Sequence, residues 1–153
     1  MTKSKTTQHI IAAAVGAAGL VFATVPQALA AETVTVTTNN SADSMRMGLF
    51  LNPETVKAGH VTFHLDNQSK TLPHEAIVIR LSDQQVMNPM DLPYNDDTMR
   101  VPEDAVDAMG EVPETEPGRS GDVTLDLSPG VYEVMCNIEG HYGAGMHALL
   151  TVK

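Results

Sequence analysis

The chain has 153 residues but only one cysteine, no tryptophan, three tyrosines and three phenylalanines. A lone cysteine cannot form an intramolecular disulfide, so a disulfide framework within the chain is excluded. Basic residues are also scarce, with nine Lys and Arg against nineteen Asp and Glu. Nucleic acids and anionic lipid surfaces are therefore poor partners, whereas a basic protein would be attracted. Acidity also keeps a protein soluble, so the charge alone does not decide between these roles.

Residues 1–30 have the organisation of a secretory signal peptide. Two lysines precede an apolar run from Ile10 to about Val25, and the segment ends in the small-residue pattern ALA. A retained membrane anchor is the alternative to cleavage. We expect export to the periplasm, with no stable membrane insertion after cleavage. The mature domain would then span residues 31–153 and carry seven basic and nineteen acidic residues, a net charge of −12.

The mature chain reads as short apolar segments separated by turn residues, which is typical of a β-sandwich. Val61, Phe63 and Leu65 alternate with polar residues, as in a strand with one buried face. The continuous apolar run of 75–81 predicts a strand that is buried on both sides. We expect an all-β, Greek-key β-sandwich of about seven or eight strands. Its strands are predicted at 32–38, 45–51, 60–67, 75–81, 122–127, 131–136 and 147–152.

Residues 82–120 interrupt this pattern with ten acidic residues and five prolines. Pro102 suits the first position of a helix and Gly110 suits its end, which predicts a short helix over 102–109 on an otherwise irregular insertion. The methionines of this segment either bind a soft metal ion or anchor the segment on the sandwich, and filling apolar gaps is the commoner role of methionine. They are Met87, Met90, Met99 and Met109.

The segment CNIEGHYGAGM carries three metal-ligand side chains, Cys136, His141 and Met146, on one glycine-rich loop. In VYEVMC the tyrosine and the second valine share a face with Cys136, so the thiol is expected to point into the core. A thiolate, an imidazole and a thioether that converge form the donor set that a soft transition metal such as copper selects. A buried, unreactive cysteine beside an ordinary turn is the alternative.

A copper site of this kind needs a second imidazole from another part of the chain. His74 is the candidate, because a rigid Pro73 leads from the preceding loop through it into the buried strand 75–81. The remaining histidines of the mature chain are interpreted as surface or supporting residues. Side chains that could bind additional copper are Met45, Met47, His60, His64 and His147.

These motifs resemble those of the cupredoxins, the small blue copper proteins. LSPGVYEVMCNIEGHYGAGM is similar to their Pro-Gly-x-Tyr, Cys, Gly-His and Gly-Met ending, and its loop spacing is similar to that of rusticyanin-like and azurin-like members. VKAGHVTFHLDNQSKTLPHEAIVI resembles the family's stretch that leads to the first histidine ligand. Two positions depart from the pattern. Glu75 stands where many members have Asn, and Glu139 stands where several have Pro.

The resemblance implies one copper ion in a type 1 site, with His74, Cys136 and His141 as trigonal ligands and Met146 as the weak axial ligand. His141 would be the ligand at the exposed edge. The implied function is electron transport between redox proteins, such as a basic cytochrome or a copper enzyme, and not catalysis. The alternative is a periplasmic copper chaperone or copper-resistance protein, which the additional methionines and histidines favour.

Overall fold

A computed structural model describes residues 31–40, 47–87 and 92–153. The predicted signal peptide, Met45 and Met90 lie outside the described residues. Within these residues there is one short helix, α1 (Asp83–Met87), and one 3₁₀ turn (Glu103–Ala105). No helix of the described residues has the length and apolar character that crossing a membrane requires. The strands of this part are β1 (Glu32–Asn40), β2 (Met47–Asn52), β3 (Thr55–Val56), β4 (Gly59–Asn67), β5 (His74–Arg80), β6 (Asp107–Thr115), β7 (Ser120–Leu127), β8 (Gly130–Met135) and β9 (His147–Val152).

The strands form two sheets that pack face to face. One sheet has the order β2-β1-β4-β7, and the other has the order β3-β9-β8-β5-β6. The pairs β1–β4 and β3–β9 are parallel, and every other pair described is antiparallel. This architecture confirms the predicted all-β sandwich.

The main core lies between the two sheets, where the alternating apolar residues of β4 and β8 meet. The predicted inward faces of both strands are fully buried, and Cys136 and Met146 belong to the same cluster. The first and last residues of the segment CNIEGHYGAGM therefore form part of this core. The buried residues of β4 and β8 in this cluster are Val61, Phe63, Leu65, Tyr132 and Val134.

A second, smaller core covers the opposite face of the five-stranded sheet. Ile77 and Ile79 of β5 and Met135 of β8 pack there, and the segment between β5 and β6 contributes Leu92 and Val101. Strand β5 is therefore buried on both faces, as its continuous apolar run predicts.

Two predictions for this segment are wrong. Residues 102–109 do not form a helix, and the chain does not stay irregular through residue 120. Helical geometry here is confined to the 3₁₀ turn, and β6 begins at Asp107 and pairs with β5 along its length. This pairing satisfies backbone groups that would otherwise line an open edge of β5. Exposed acidic side chains and Pro113 on β6 in turn discourage further pairing at the new edge. The two-residue strand β3 was also absent from the prediction.

Candidate metal centre

Three of the four predicted ligand residues meet at one end of the sandwich because of how β5 and β8 pair. The two strands are antiparallel, with Ile77 opposite Met135. The beginning of β5 therefore lies beside the end of β8. His74 is the first residue of β5, and Cys136 directly follows β8. The loop after Cys136 then returns past both residues and carries His141.

The donor atoms of these three residues face one another. The Sγ atom of Cys136 lies 3.2 Å from Nδ1 of His141 and 3.8 Å from Nδ1 of His74. All three donor atoms lie within 4.8 Å of one another. Metal bonds of about 2.3 Å to sulfur and 2.0 Å to nitrogen would place trigonal ligands roughly 3.8 Å apart. The spacing of this site therefore fits one metal ion.

Met146, the fourth predicted residue, closes the loop. Its carbonyl accepts a hydrogen bond of 3.0 Å from the backbone N–H of Cys136, and its own N–H donates to the carbonyl of His141 at 3.2 Å. The side chain is fully buried in the main core beside that of Cys136. The structure thus brings a thioether to the same end of the core as the thiol.

The loop from residue 137 to 146 depends on two glycines for its tight path. Gly140 and Gly145 have φ values of 80° and 92°, in the region that side chains with a Cβ rarely adopt. Between them, the N–H of Ala144 donates to the carbonyl of Gly140 at 3.0 Å. These turns bring His141 back toward Cys136, which explains why the glycine-rich sequence is needed here.

Neighbouring segments clamp the loop from two sides. Glu75 of β5 accepts a hydrogen bond of 2.9 Å from the backbone N–H of Asn137. The Asn137 amide accepts from the N–H of Val101 at 2.8 Å and donates to its carbonyl at 2.9 Å. The N–H of Gly140 donates to the carbonyl of Met99 at 2.9 Å. Glu75 was noted in the sequence only as a departure from the family pattern, and no sequence signal indicated the role of Asn137.

Burial sets the protonation of the site in the absence of metal. It lowers the pKa of His74 to about 4, with the neighbouring His141 adding to the effect. It also lowers the pKa of His141 and raises that of the Cys136 thiol to about 11. At neutral pH both imidazoles are therefore neutral and able to bind a metal, whereas the thiol must lose its proton on binding.

The other histidines in the described part of the chain do not belong to this cluster. His64 sits on the outer face of the four-stranded sheet, with its Nδ1 atom 2.7 Å from the Asp122 carboxylate. His60 is exposed on the same strand. His147 is partly buried beside Glu133, with Nδ1 of the histidine 3.0 Å from the carboxylate. Met47 packs against the main core.

A β-sandwich with two imidazoles, one thiol and a buried thioether at one end has the fold and the donor set of a blue copper protein. Comparison with known proteins agrees with this class. The family model described as copper binding proteins, plastocyanin/azurin family, matches residues 34–153. The chain therefore belongs to this family.

Solved structures of auracyanins share this fold. The dithionite-reduced auracyanin of the photosynthetic bacterium Roseiflexus castenholzii aligns with a TM-score of 0.54 and 21% identity, over 81% of this chain and 99% of that protein. Auracyanin B aligns with a TM-score of 0.54 and 25% identity, over 80% and 89%. Auracyanin A, a "blue" copper protein from Chloroflexus aurantiacus, aligns with a TM-score of 0.52 and 23% identity, over 79% and 99%. No curated protein sequence matches the chain.

Proposed function

We propose that this protein is a type 1 copper protein that carries single electrons between redox partners. The observation that supports this function most directly is the buried convergence of one thiol and two imidazoles, with donor atoms within 4.8 Å of one another. Copper bound there would supply a one-electron couple between Cu(I) and Cu(II).

The proposed ligands are Nδ1 of His74, Sγ of Cys136, Nδ1 of His141 and the thioether of Met146. The ladder between β5 and β8 and the surrounding hydrogen bonds hold the segments that carry these side chains, so little would have to move between the two oxidation states. Four protein ligands in a buried site leave no open position for a substrate, which favours electron transport over catalysis. His141 is 6% exposed whereas the other three are fully buried, so a partner would approach at this ligand.

The charge and the N-terminal sequence support the finer parts of the proposal. A net charge of −12 on residues 31–153 would attract a basic redox partner, such as a cytochrome or a copper enzyme. The signal-peptide pattern of residues 1–30 supports export to the periplasm. If cleavage follows the ALA pattern, protein recovered from the periplasm begins at Ala31, which N-terminal sequencing would establish. An intact N-terminus would instead support the retained anchor.

The test of the function is the visible spectrum of purified residues 31–153 after addition of Cu(II). We expect an intense thiolate-to-copper band that disappears with a mild reductant and returns with an oxidant over repeated cycles. Cys136→Ser is the control variant and should bind copper without this band. A wild-type protein that lacks the band would contradict the proposal. Transfer of copper to an acceptor protein without electron exchange would favour the chaperone alternative.

A further inference from the structure

Strand β8 contains one acidic residue, Glu133, and its side chain is fully buried. It shares the outer face of the sheet with Val131 and Met135, under the second core. Among the described residues, no lysine or arginine forms an ion pair with it. A carboxylate removed from water without such a partner is costly, so its presence calls for an explanation beyond packing.

Two side chains surround the Glu133 carboxylate. Nδ1 of His147 lies 3.0 Å from its Oε1 atom. The ring of Tyr142 packs on that of His147, with centroids 4.9 Å apart. The Tyr142 hydroxyl is buried and lies close to the Glu133 carboxylate. Apart from the contact with His147, neither the carboxylate nor this hydroxyl has a regular hydrogen-bond partner among the described residues.

Each of these two neighbours directly follows a proposed ligand in the chain. Tyr142 directly follows His141, and His147 directly follows Met146. One buried carboxylate therefore contacts His147 and lies close to Tyr142, the residues that directly follow the two ligands proposed on the second half of the loop. At the start of β9, consecutive side chains point to opposite faces, so holding His147 on the outer face directs Met146 into the core.

The first two proposed ligands show the same arrangement with a different carboxylate. Glu75 directly follows His74, and it accepts the hydrogen bond from Asn137, which directly follows Cys136. The residue after each of the four proposed ligands is thus either a buried carboxylate or lies beside one. Glu75 supports the segments that carry the first two proposed ligands, and Glu133 is placed to support the segment that carries the other two.

We propose that Glu133 is a positioning residue of the copper centre, which acts through Tyr142 and His147 to fix the loop that presents His141 and Met146. This inference rests on the proposed function. Outer partners of metal ligands tune both the affinity and the electronic properties of a site. A buried negative charge behind the loop also favours the more positive Cu(II) state, so its removal should raise the reduction potential.

The test compares the copper-loaded wild-type protein with Glu133→Gln, which keeps the shape of the side chain and removes its charge. We expect copper release to a chelator to become about tenfold faster, at the lower end of the effect known for outer-shell partners. The copper hyperfine splitting in the electron paramagnetic resonance spectrum should change, and the reduction potential should rise. The matched control is Asp122→Asn, because Asp122 also contacts a histidine but lies exposed on the other sheet.

Further variants separate positioning from folding. Tyr142→Phe removes one hydroxyl and should move the release rate in the same direction by a smaller factor. Its effect should shrink in the Glu133→Gln background, because the two groups act together. If Glu133→Gln does not fold, Tyr142→Phe alone decides, and an unchanged release rate would overturn the inference.

The two proposals fail in different ways. A wild-type protein without a thiolate-to-copper band refutes the proposed function. A wild-type protein with the band, together with a Glu133→Gln variant that matches Asp122→Asn in release rate, spectrum and potential, refutes only the role of Glu133.

Discussion

The protonation of individual residues prepares the proposed site for a metal. Burial opposes positive charge on His74 and His141 and opposes ionisation of Cys136, so all three groups are neutral at neutral pH without metal. A divalent ion would therefore enter a site with two free imidazole nitrogens and would displace a single proton from the thiol. The same neutral state makes the metal-free fold sensitive to pH.

Replacing His74 tests the ligand that lies farthest from the loop in sequence. We expect His74→Ala to lose the native thiolate-to-copper band, because it removes one of the two nitrogens that face Sγ of Cys136. His64→Ala is the control and should keep the band, since this histidine contacts Asp122 on the other sheet. Absorption spectra of the two copper-loaded variants decide the question. Loss of the band in His64→Ala alone would mean that the wrong histidine was assigned.

The metal-free protein should lose stability in acid through His74. The pKa of this residue is about 4 in the folded state against an ordinary value of 6.5. Between these two pH values the unfolded chain therefore binds a proton that the folded chain does not bind. The free energy of unfolding should then fall as the pH decreases, by roughly 3 kcal/mol in total by about pH 4. Urea unfolding at pH 7.5 and 4.5 measures this loss. A metal-free His74→Asn variant should show a smaller loss, and equal losses would exclude His74 as the cause.

The Cys136 thiol should make the metal-free protein less stable at high pH. Its pKa is about 11 in the folded state against an ordinary value of 9.0, so the unfolded chain releases its proton first as the pH rises. The free energy of unfolding of the metal-free protein should therefore fall between pH 9 and 11. Cys136→Ser, compared by urea unfolding at pH 8 and 10.5, should lack this contribution. A decline of the same size in both proteins would assign it to other groups.

At the scale of elements, the segment between β5 and β6 does more than connect two strands. It covers one face of β5 and holds the ligand loop through Val101 and Met99. The side chain of Asn137 substitutes for a strand neighbour by bonding to both backbone groups of Val101. Without it, a buried N–H and a buried carbonyl would lose their partners.

Asn137→Ala should therefore destabilise the metal-free protein by about 2–4 kcal/mol, since each buried group left without a partner costs about 1–3 kcal/mol. Urea unfolding measures the change. Asn95→Ala, in the segment between β5 and β6, is the control, because its side chain accepts hydrogen bonds from Asp97 and Thr98 at an exposed turn. Water can replace those bonds, so its cost should be roughly 1 kcal/mol or less. Equal costs for the two variants would show that the Asn137 clamp is not important for stability.

The elements that the sequence predicted are those with a local signal. Alternation in β4 and the continuous run of β5 are visible in a few residues, and the donor types of the loop indicated the candidate site. Strand β6 has no such signal, because Gly110 and Pro113 disfavour strands. It is stabilised by pairing with β5 and by the burial of Val112 in the main core. The buried position of Glu133 was hidden for the same reason, since a remote segment covers its face of β8.

At the scale of the whole molecule, some acidic residues lie near the proposed site and others lie far from it. Burial raises the pKa of Glu75, and the nearby charges of Glu111, Glu114 and Glu103 add to this effect. The acidic residues Asp122 and Asp126 of β7 lie instead on the outer face of the opposite sheet. Arg100, near His141, is a positive charge on the side of the proposed site. Among the described residues, the proposed electron-transfer end is therefore predominantly acidic but also carries Arg100.

Salt should slow electron transfer between this protein and a basic cytochrome. Raising the ionic strength from 0.01 to 0.15 M shortens the screening length from about 30 Å to about 8 Å, which removes most long-range attraction between exposed charges. We expect the second-order rate constant in stopped-flow measurements to fall about tenfold over this range, within the range known for electrostatic steering. The double variant Glu111→Gln/Glu114→Gln should have a weaker salt dependence than Asp122→Asn/Asp126→Asn, because only the first pair borders the proposed site. Both variants remove two negative charges, so net charge alone predicts equal effects. A flat salt dependence of the wild-type rate would mean that the acidity serves solubility and does not guide a partner.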